Sequence, residues 1–239
     1  MEITIEGLRK LYEAGKFEEA LKAISSNYRS FDETPDEILE IGALCYFRFE
    51  NYKKATEAAI TLVDRENLKG FELLAQLTAY VSKDDGLLSS IYERLPNNVA
   101  VCNAYAIRAR DPDSKIPIPH IVCAAMDNMN GEEIASVHLL NNTARLLLAK
   151  ECQEGIVMAI GFWNIALLKY GNKNYHHRAA VYFWMSKAYE KLGEKSLAIK
   201  SAEKSLATWV EQVDLDPNNP KFKESLAGAK KRLEELKCE

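Results

Sequence analysis

The apolar positions of this chain recur with the period of an α-helix, and short polar turns interrupt them at regular intervals. In the first segment, Gly15 separates two amphipathic stretches, at about 2–14 and 17–30. Their apolar faces are formed by Ile5, Leu8, Leu11, Tyr12, Phe17, Ala20, Leu21, Ile24 and Tyr28. This pattern predicts a helical hairpin, because a glycine allows a tight turn between two helices.

The same plan returns further along the chain. Tyr52 follows Phe17 by 35 residues, and Ala55 follows Ala20 by the same distance. Such self-similarity predicts an all-α array of stacked hairpins, in which each hairpin packs on its neighbours. The recurring alanines fit the points where two helices cross, because small side chains let the helices approach closely.

We expect one solenoid over 1–239, divided into four parts. These parts are N-terminal repeats over 1–95, an irregular segment over 96–130, long repeats over 131–219 and a capping helix over 220–239. Three prolines between 112 and 119 exclude a continuous helix there, and we interpret this loop as a spacer. The long repeats predict helices at about 132–151, 154–170, 175–192 and 195–213.

The last helix would cover the end of the array, because many Lys and Glu residues give it a polar outer face. Its predicted inward positions are Phe222, Leu226, Leu233 and Leu236. The most apolar stretch, Gly155 to Leu168, is shorter than the roughly 20 residues of a bilayer span and contains Asn164. It therefore predicts a buried helix and no membrane insertion.

Composition narrows the class of protein. The chain has 239 residues, 47% of them hydrophobic, and a net charge of −4, which disfavours a broad nucleic-acid-binding surface. Five cysteines without a CxxC pair argue against a disulfide framework or a zinc site. They predict reduced and mostly buried thiols in a cytoplasmic protein, and the acidic N-terminal stretch lacks the layout of a signal peptide.

No sequence motif for catalysis or cofactor binding is present. The chain contains no GxSxG, HExxH, P-loop or dinucleotide fingerprint, so we expect no cofactor and no enzymatic activity. His176 and His177 are adjacent, and adjacent helical residues point about 100° apart, so they do not readily share a metal ion. We expect no metal site, and we place both histidines at the surface of a helix N-terminus.

The hairpins resemble the tetratricopeptide repeat (TPR) family. The matching residues are Leu8-x-x-Leu11-x-x-x-Gly15-x-Phe17-x-x-Ala20, Tyr46 with Tyr52-x-x-Ala55, and Ala188-Tyr189-x-x-x-Gly193-x-x-x-x-Ala198. Thr143 and Met185 occupy corresponding positions 42 residues apart, and these long units, with the segment 139–144, are similar in type to kinesin light chain repeats. The resemblance implies a right-handed superhelical solenoid whose concave groove binds a peptide or a partner helix.

One binding mode of the family is not expected here. The family's clamp for C-terminal carboxylates uses a Lys and an Asn on the first helix and an Asn on the third. At the matching positions this chain has Ile5, Arg9 and Ile41. A receptor for the C-terminal tails of chaperones is therefore not indicated.

The groove implied by this resemblance would be lined by the first helix of each long repeat. The candidate partner-binding residues on those faces are Asn141, Asn142, Arg145, Phe183, Trp184, Lys187 and Lys191, beside His138, Leu148 and Glu190. Asn can bond a peptide backbone, the cations favour an acidic segment, and the aromatic residues are anchors. The competing interpretation is that Trp184 is core and that the Asn pair bonds neighbouring helices.

We therefore predict a non-catalytic adaptor or scaffold that binds another protein, without nucleic acid. One alternative is an obligate subunit of a complex, docked through convex or terminal surfaces. Another is an enzyme with a pocket near 96–130, where His120 or Cys123 would act. Composition and motifs leave the oligomeric state and the identity of the partner open.

Overall fold

The computed structural model describes residues 4–131, 134–150, 152–171 and 175–238, with only the backbone of Tyr175. All the regular secondary structure in these residues is helical, which confirms the all-α class. The helices are α1 (Ile5–Glu13), α2 (Phe17–Asn27), α3 (Asp36–Arg48), α4 (Tyr52–Asp64), α5 (Leu68–Leu77), α6 (Asp85–Arg94), α7 (Val99–Ala109), α8 (Ile118–Asp127), α9 (Ile134–Ala149), α10 (Gln153–Tyr170), α11 (Tyr175–Lys191), α12 (Lys195–Leu215) and α13 (Pro220–Cys238). A π-helical turn, Thr78–Ser82, follows α5.

The predicted hairpins form where the sequence places its turns. Gly15 and Gly193 adopt φ angles of 72° and 76°, which favour glycine, between α1 and α2 and between α11 and α12. Asn67 caps α5 by accepting hydrogen bonds from the Lys69 and Gly70 amides. Of the predicted helix bounds, residues 2, 3, 132, 133 and 151 lie outside the described residues.

The chain divides into two compact units, and the single solenoid over 1–239 stays a prediction. Unit 1 extends to Arg108 and includes Asp113–Ile116. Unit 2 contains Ala109–Pro112 and continues from Pro117. The division falls in the proline-rich part of the predicted irregular segment. Each unit is described separately below.

Unit 1 is built from the hairpins α1–α2 and α3–α4, followed by α5 to α7. Its first core cluster contains Leu8, Ala20, Ile24, Ile38, Ile41 and Cys45. Ala20 and Ala55 are fully buried, which agrees with their predicted place at helix crossings. At Gly70, a Cβ atom would lie 2.8 Å from the backbone carbon of Leu62, so α4 and α5 approach more closely than a side chain permits.

Arg65 holds the loop before α3 in place through hydrogen bonds. The Arg65 guanidinium donates to the backbone carbonyls of Phe31, Asp32 and Thr34 at 3.0, 2.7 and 2.8 Å. It also bonds the Asp36 carboxylate at 2.7 Å. Hydrogen bonds from Arg65 and then Asn67 lower the pKa of Asp36. These contacts satisfy carbonyl groups that no helix ladder can reach.

A second arginine joins the proline-rich loop to unit 1. Arg108 is 3% exposed, and its Nε donates to the Asp85 carboxylate at 2.7 Å. Its Nη1 bonds Asp113 at 2.9 Å, and the Lys115 amide donates to the other Asp85 oxygen at 2.7 Å. The carboxylate of Asp85 therefore holds residues 113–116 against the start of α6.

Unit 2 contains α8, the hairpins α9–α10 and α11–α12, and α13. Trp163 is fully buried between α9 and α10. Ser205 of α12 donates to the Ala179 carbonyl of α11 at 2.8 Å. Arg232 of α13, 7% exposed, forms a two-pronged ion pair with Glu190 of α11 at 3.0 and 2.8 Å.

The predicted inward face of α13 is confirmed. Phe222 and Leu226 pack against the cluster of Ala179, Trp209 and Ala229, while Leu233 and Leu236 belong with Ala198 and Ala202. Arg232 lies on this inward side as well, a position that the apolar pattern of α13 does not predict for a charged residue. Its pairing with Glu190 supplies the compensation that a buried charge requires.

Two predictions about burial are wrong. The helix at Gly155 to Leu168 is buried along one face only, because Leu168 is 82% and Val157 is 57% exposed. Three of the five cysteines, at 123, 152 and 238, are exposed instead of buried. Burial raises the pKa of the remaining two thiols, Cys45 and Cys102, to about 11. No helix in the described part of the chain is both long and apolar enough to cross a membrane.

Candidate functional site

A recess of ≈ 350 Å³ opens in unit 2 beside α9 and α11, and we call it the Trp184 recess. The residues that line it come from the segment directly after α7, from α9 and from α11. They are Arg110, Asp111, Arg145, Leu148, Ala149, Trp184, Lys187 and Lys191. Four of the seven residues predicted from the sequence therefore share one cavity.

Trp184 is half-buried, and two cations lie over its ring. The guanidinium carbon of Arg145 is 4.6 Å from the ring centroid, and the Lys187 ammonium is 5.1 Å from it. Phe183 meets Trp184 edge to face, with 5.6 Å between centroids, and Lys187 is 5.0 Å from the Phe183 ring. The aromatic pair thus holds two positive groups at the recess by cation–π attraction.

The two adjacent asparagines have different roles. Asn141 accepts a hydrogen bond of 2.9 Å from the indole N–H of the buried Trp163, so its carbonyl oxygen is used in joining α9 to α10. Asn142 accepts a bond of 2.9 Å from Arg110, which lines the Trp184 recess. Adjacent helical residues diverge by about 100°, so only one of them reaches the recess side.

Arg110 and Asp111 are the site residues that sequence reasoning did not propose. Both lie at the start of the proline-rich loop, which we had interpreted as a spacer. Asp111 and Pro112 interrupt the helical pattern. The charged pair Arg110 and Asp111 at this interruption is the sequence feature that could have indicated a site here. The structure places this pair on the wall of the Trp184 recess.

The electrostatic character of the recess is positive. Four cationic side chains, Arg110, Arg145, Lys187 and Lys191, line it with one carboxylate, Asp111. Glu190, which the sequence also placed on this helix face, is committed to Arg232 on α13. This local excess of three positive charges contrasts with the net charge of −4 of the chain. The recess would attract an anionic group.

Unit 1 provides a contrasting recess of ≈ 310 Å³ beside α1, α3 and α5. It contains Arg9 and Ile41, two of the positions where the carboxylate clamp of the resembled family would lie. Three carboxylates, of residues 37, 40 and 72, accompany Arg9 and Lys69 in its lining. A cavity with this charge disfavours an anionic ligand, in agreement with the missing clamp residues.

Three of the four histidines of unit 2 come together in an aromatic cluster. The ring centroids of His138 and His176 lie 4.8 and 3.9 Å from that of His177, and Tyr170 stacks on His177 at 5.2 Å. The predicted surface position of His176 and His177 is wrong, because both are half-buried. The helix pattern alone could not show that α9 brings a third histidine to them.

Burial changes the titration of this cluster. It lowers the pKa of His177 to about 4, with help from the nearby His176 and His138, and it lowers the pKa of the other two histidines as well. Burial raises the pKa of Tyr170 to about 12. Among the residues that the structure describes, no group of three or more His, Cys, Asp or Glu side chains could hold a metal ion.

The described helices define an all-α protein of successive hairpins. No family model matches the chain, and no curated protein matches it. Among solved structures, it is similar to the C-terminal part of a TPR repeat-containing protein from Cytophaga hutchinsonii. That similarity covers 93% of this chain and 99% of the other, at 15% identity and a TM-score of 0.48. The similarity of the long repeats to those of kinesin light chains stays a prediction.

Proposed function

We propose that this protein is a non-catalytic adaptor or scaffold that binds an acidic, extended peptide segment of another protein in the Trp184 recess. The observation that carries the proposal is that Arg145 and Lys187 both lie over the Trp184 ring, in a cavity with excess positive charge. An aromatic anchor beside two cations suits a segment that pairs a bulky side chain with carboxylates.

The dimensions of the site favour a peptide. A volume of ≈ 350 Å³ accommodates a few side chains, and the recess opens to solvent along α11. Arg145 carries a planar guanidinium, whose geometry suits a carboxylate, while Lys187 and Lys191 are ammonium groups one helical turn apart. Asn142, positioned by Arg110, adds a polar group that can bond a peptide backbone.

The proposed enzymatic alternative receives less support. His120 and Cys123, the candidates near 96–130, both lie exposed on α8. Acid–base and nucleophilic catalysis depend on groups that are held in an enclosed, water-poor site. The exposed positions of these two side chains favour a binding function over a catalytic one.

Fluorescence anisotropy with a labelled probe tests the proposal. The probe is a peptide of about ten residues with alternating glutamates and aromatic residues, and a matched peptide carries lysine in place of glutamate. Saturable binding of the acidic peptide is expected, and Lys187→Glu with Lys191→Glu should weaken it at least about tenfold. The lysine peptide should not bind.

The matched control is Lys221→Glu with Lys223→Glu, which makes the same charge change at two exposed positions of α13. This control should change affinity by less than about twofold, because surface charges away from a site act weakly at physiological salt. Equal weakening by both double variants would mean that only net charge matters and would contradict the proposal.

A further inference from the structure

A second surface of unit 2 has an apolar face that no described residue covers. On α10, Val157, Met158 and Leu168 are 57, 41 and 82% exposed, with Leu168 the most exposed large apolar side chain among the described residues. The opposite face of α10 carries the fully buried Trp163. A surface helix normally presents polar residues to water, so apolar residues on both faces indicate a binding surface.

A groove of ≈ 600 Å³ continues from this face toward α11 and α12, and we call it the Leu168 groove. Leu167, Leu168 and Leu197 provide apolar lining. On α11 the groove is formed by Tyr182 and Met185. The mean direction of these two side chains lies about 200° around the helix from the mean direction of Trp184 and Lys187. The Leu168 groove and the Trp184 recess therefore lie on opposite sides of α11.

The charged residues that line the Leu168 groove all have the same sign. They are Arg178, Lys200 and Lys204, and among the described residues no carboxylate lines the groove with them. Lys200 and Lys204 are exposed and form no ion pair with any residue that the structure describes. The Lys204 ammonium lies 5.4 Å from the Tyr182 ring centroid, which holds it at the groove wall.

The spacing of these features fits a helical partner. From Val157 to Leu168 the α10 face extends about 16 Å, or three turns of helix. An apolar stripe of that length matches a helix laid beside α10 with anchors at i, i+4 and i+7. The lysines on α12 are one turn apart, so they can meet acidic residues at the same spacing on the partner.

We infer that the Leu168 groove binds an acidic amphipathic helix of a partner protein. The apolar face of that helix lies on Leu168 and Val157, and its carboxylates pair with Lys200 and Lys204. This site is independent of the peptide proposed for the Trp184 recess. The protein would then hold two partners, one on each side of α11, as a scaffold does.

A designed helical peptide tests the inference. The probe is an 18-residue peptide, about five turns long, with leucines along one face and glutamates beside them, read by anisotropy with the full chain. We expect saturable binding that is weakened at least about tenfold by Leu168→Glu, and similarly by Lys200→Glu with Lys204→Glu. A peptide with lysines in place of the glutamates should bind at least about tenfold more weakly.

Two matched controls separate this surface from others. Phe49→Glu alters a side chain that is 56% exposed in unit 1, and Lys221→Glu with Lys223→Glu makes the same charge reversal at two exposed positions of α13. Neither should change the affinity of the helical probe by more than about twofold. Binding that is absent, or that the control variants weaken equally, would overturn the inference.

Sedimentation of the free chain provides a further test. If Leu168→Glu converts a dimer into a monomer, a second copy of this chain covers the α10 face and the inference is wrong. A wild-type monomer that binds the helical probe supports it. All the substituted side chains are exposed or half-buried, and circular dichroism will verify that the variants remain folded.

Discussion

Arg145 lies over the ring of Trp184 in the wall of the Trp184 recess, with the guanidinium carbon 4.6 Å from the ring centroid. The chain has three tryptophans, all in unit 2, and the other two are 0 and 8% exposed. Quenching of tryptophan fluorescence by small ions therefore reports mainly on Trp184. The cations around it should concentrate anions at the ring.

We expect iodide to quench the fluorescence more strongly than caesium does at equal ionic strength. Lys187→Glu with Lys191→Glu should lower the iodide quenching constant about twofold, because both positive charges are reversed. Lys221→Glu with Lys223→Glu on α13 should leave it nearly unchanged. Equal iodide quenching in all three proteins would show that the recess is not electropositive in solution.

The two asparagines of α9 should differ in their effect on stability. Asn141→Ala leaves the buried indole N–H of Trp163 without its partner, which should cost about 1–3 kcal/mol of unfolding free energy. Asn142→Ala removes one acceptor from the half-buried Arg110 guanidinium and should cost less than about 1 kcal/mol. Urea unfolding followed by tryptophan fluorescence measures both variants. A larger loss for Asn142→Ala would contradict these assignments.

Removal of two buried hydroxyl groups of unit 2 should change the free energy of unfolding in opposite directions. Thr143 is fully buried, and its Oγ1 has no hydrogen-bond partner among the described residues. Thr143→Val should therefore stabilise unit 2 by about 1 kcal/mol, since it removes an unsatisfied polar group at similar volume.

Ser186 provides the comparison, because its buried hydroxyl both donates and accepts a hydrogen bond. It donates to the Phe183 carbonyl at 2.7 Å and accepts from Arg232 at 3.2 Å. Ser186→Ala should destabilise unit 2 by about 1–3 kcal/mol, because the buried guanidinium loses an acceptor. Urea midpoints that move in the same direction for both variants would contradict the prediction.

The histidine cluster should make unit 2 sensitive to mild acid. Burial lowers the pKa of His177 to about 4, from about 6.5 in an unfolded chain, so the unfolded state binds the proton more tightly. The neutral His177 ring therefore contributes its full stabilisation of the folded state above pH 6.5, and this contribution is lost as the pH falls toward 4. The urea midpoint should decrease between pH 7 and pH 5.

His177→Phe should reduce that decrease, because phenylalanine keeps the stacking on Tyr170 and has no proton to bind. His120→Phe, on the exposed side of α8, should leave it unchanged. If the decrease between pH 7 and pH 5 persists fully in His177→Phe, another group causes it.

The helices could be predicted from sequence because their signals are local. Apolar periodicity and Gly15 or Gly193 define hairpins within a few residues, and neither depends on distant contacts. The pairing of Asn141 with Trp163 and of Asn142 with Arg110 depends on contacts 22 and 32 residues apart. Two adjacent identical residues carry no local sign of which one faces the recess.

The misjudged burial of α10 has a related physical cause. A run from Gly155 to Leu168 that is apolar on every face indicates that each face avoids water, and it does not say what covers each one. Within the described residues, α9 covers one face, and the exposed Leu168 shows that the other is uncovered. The burial that the sequence pattern predicts for every face of α10 would therefore be reached only when a partner protein packs on the exposed face.

The chain path between Arg108 and Pro117 limits how the protein can be dissected. Residues 109–112 belong to unit 2, whereas Asp113–Ile116, fastened by Asp85, belong to unit 1. The backbone thus changes unit after residues 108, 112 and 116. A single proteolytic cut after any of these residues leaves at least one fragment short of its own structure. A cut after 116, for example, would leave Arg110 and its hydrogen-bond acceptor Asn142 on different fragments.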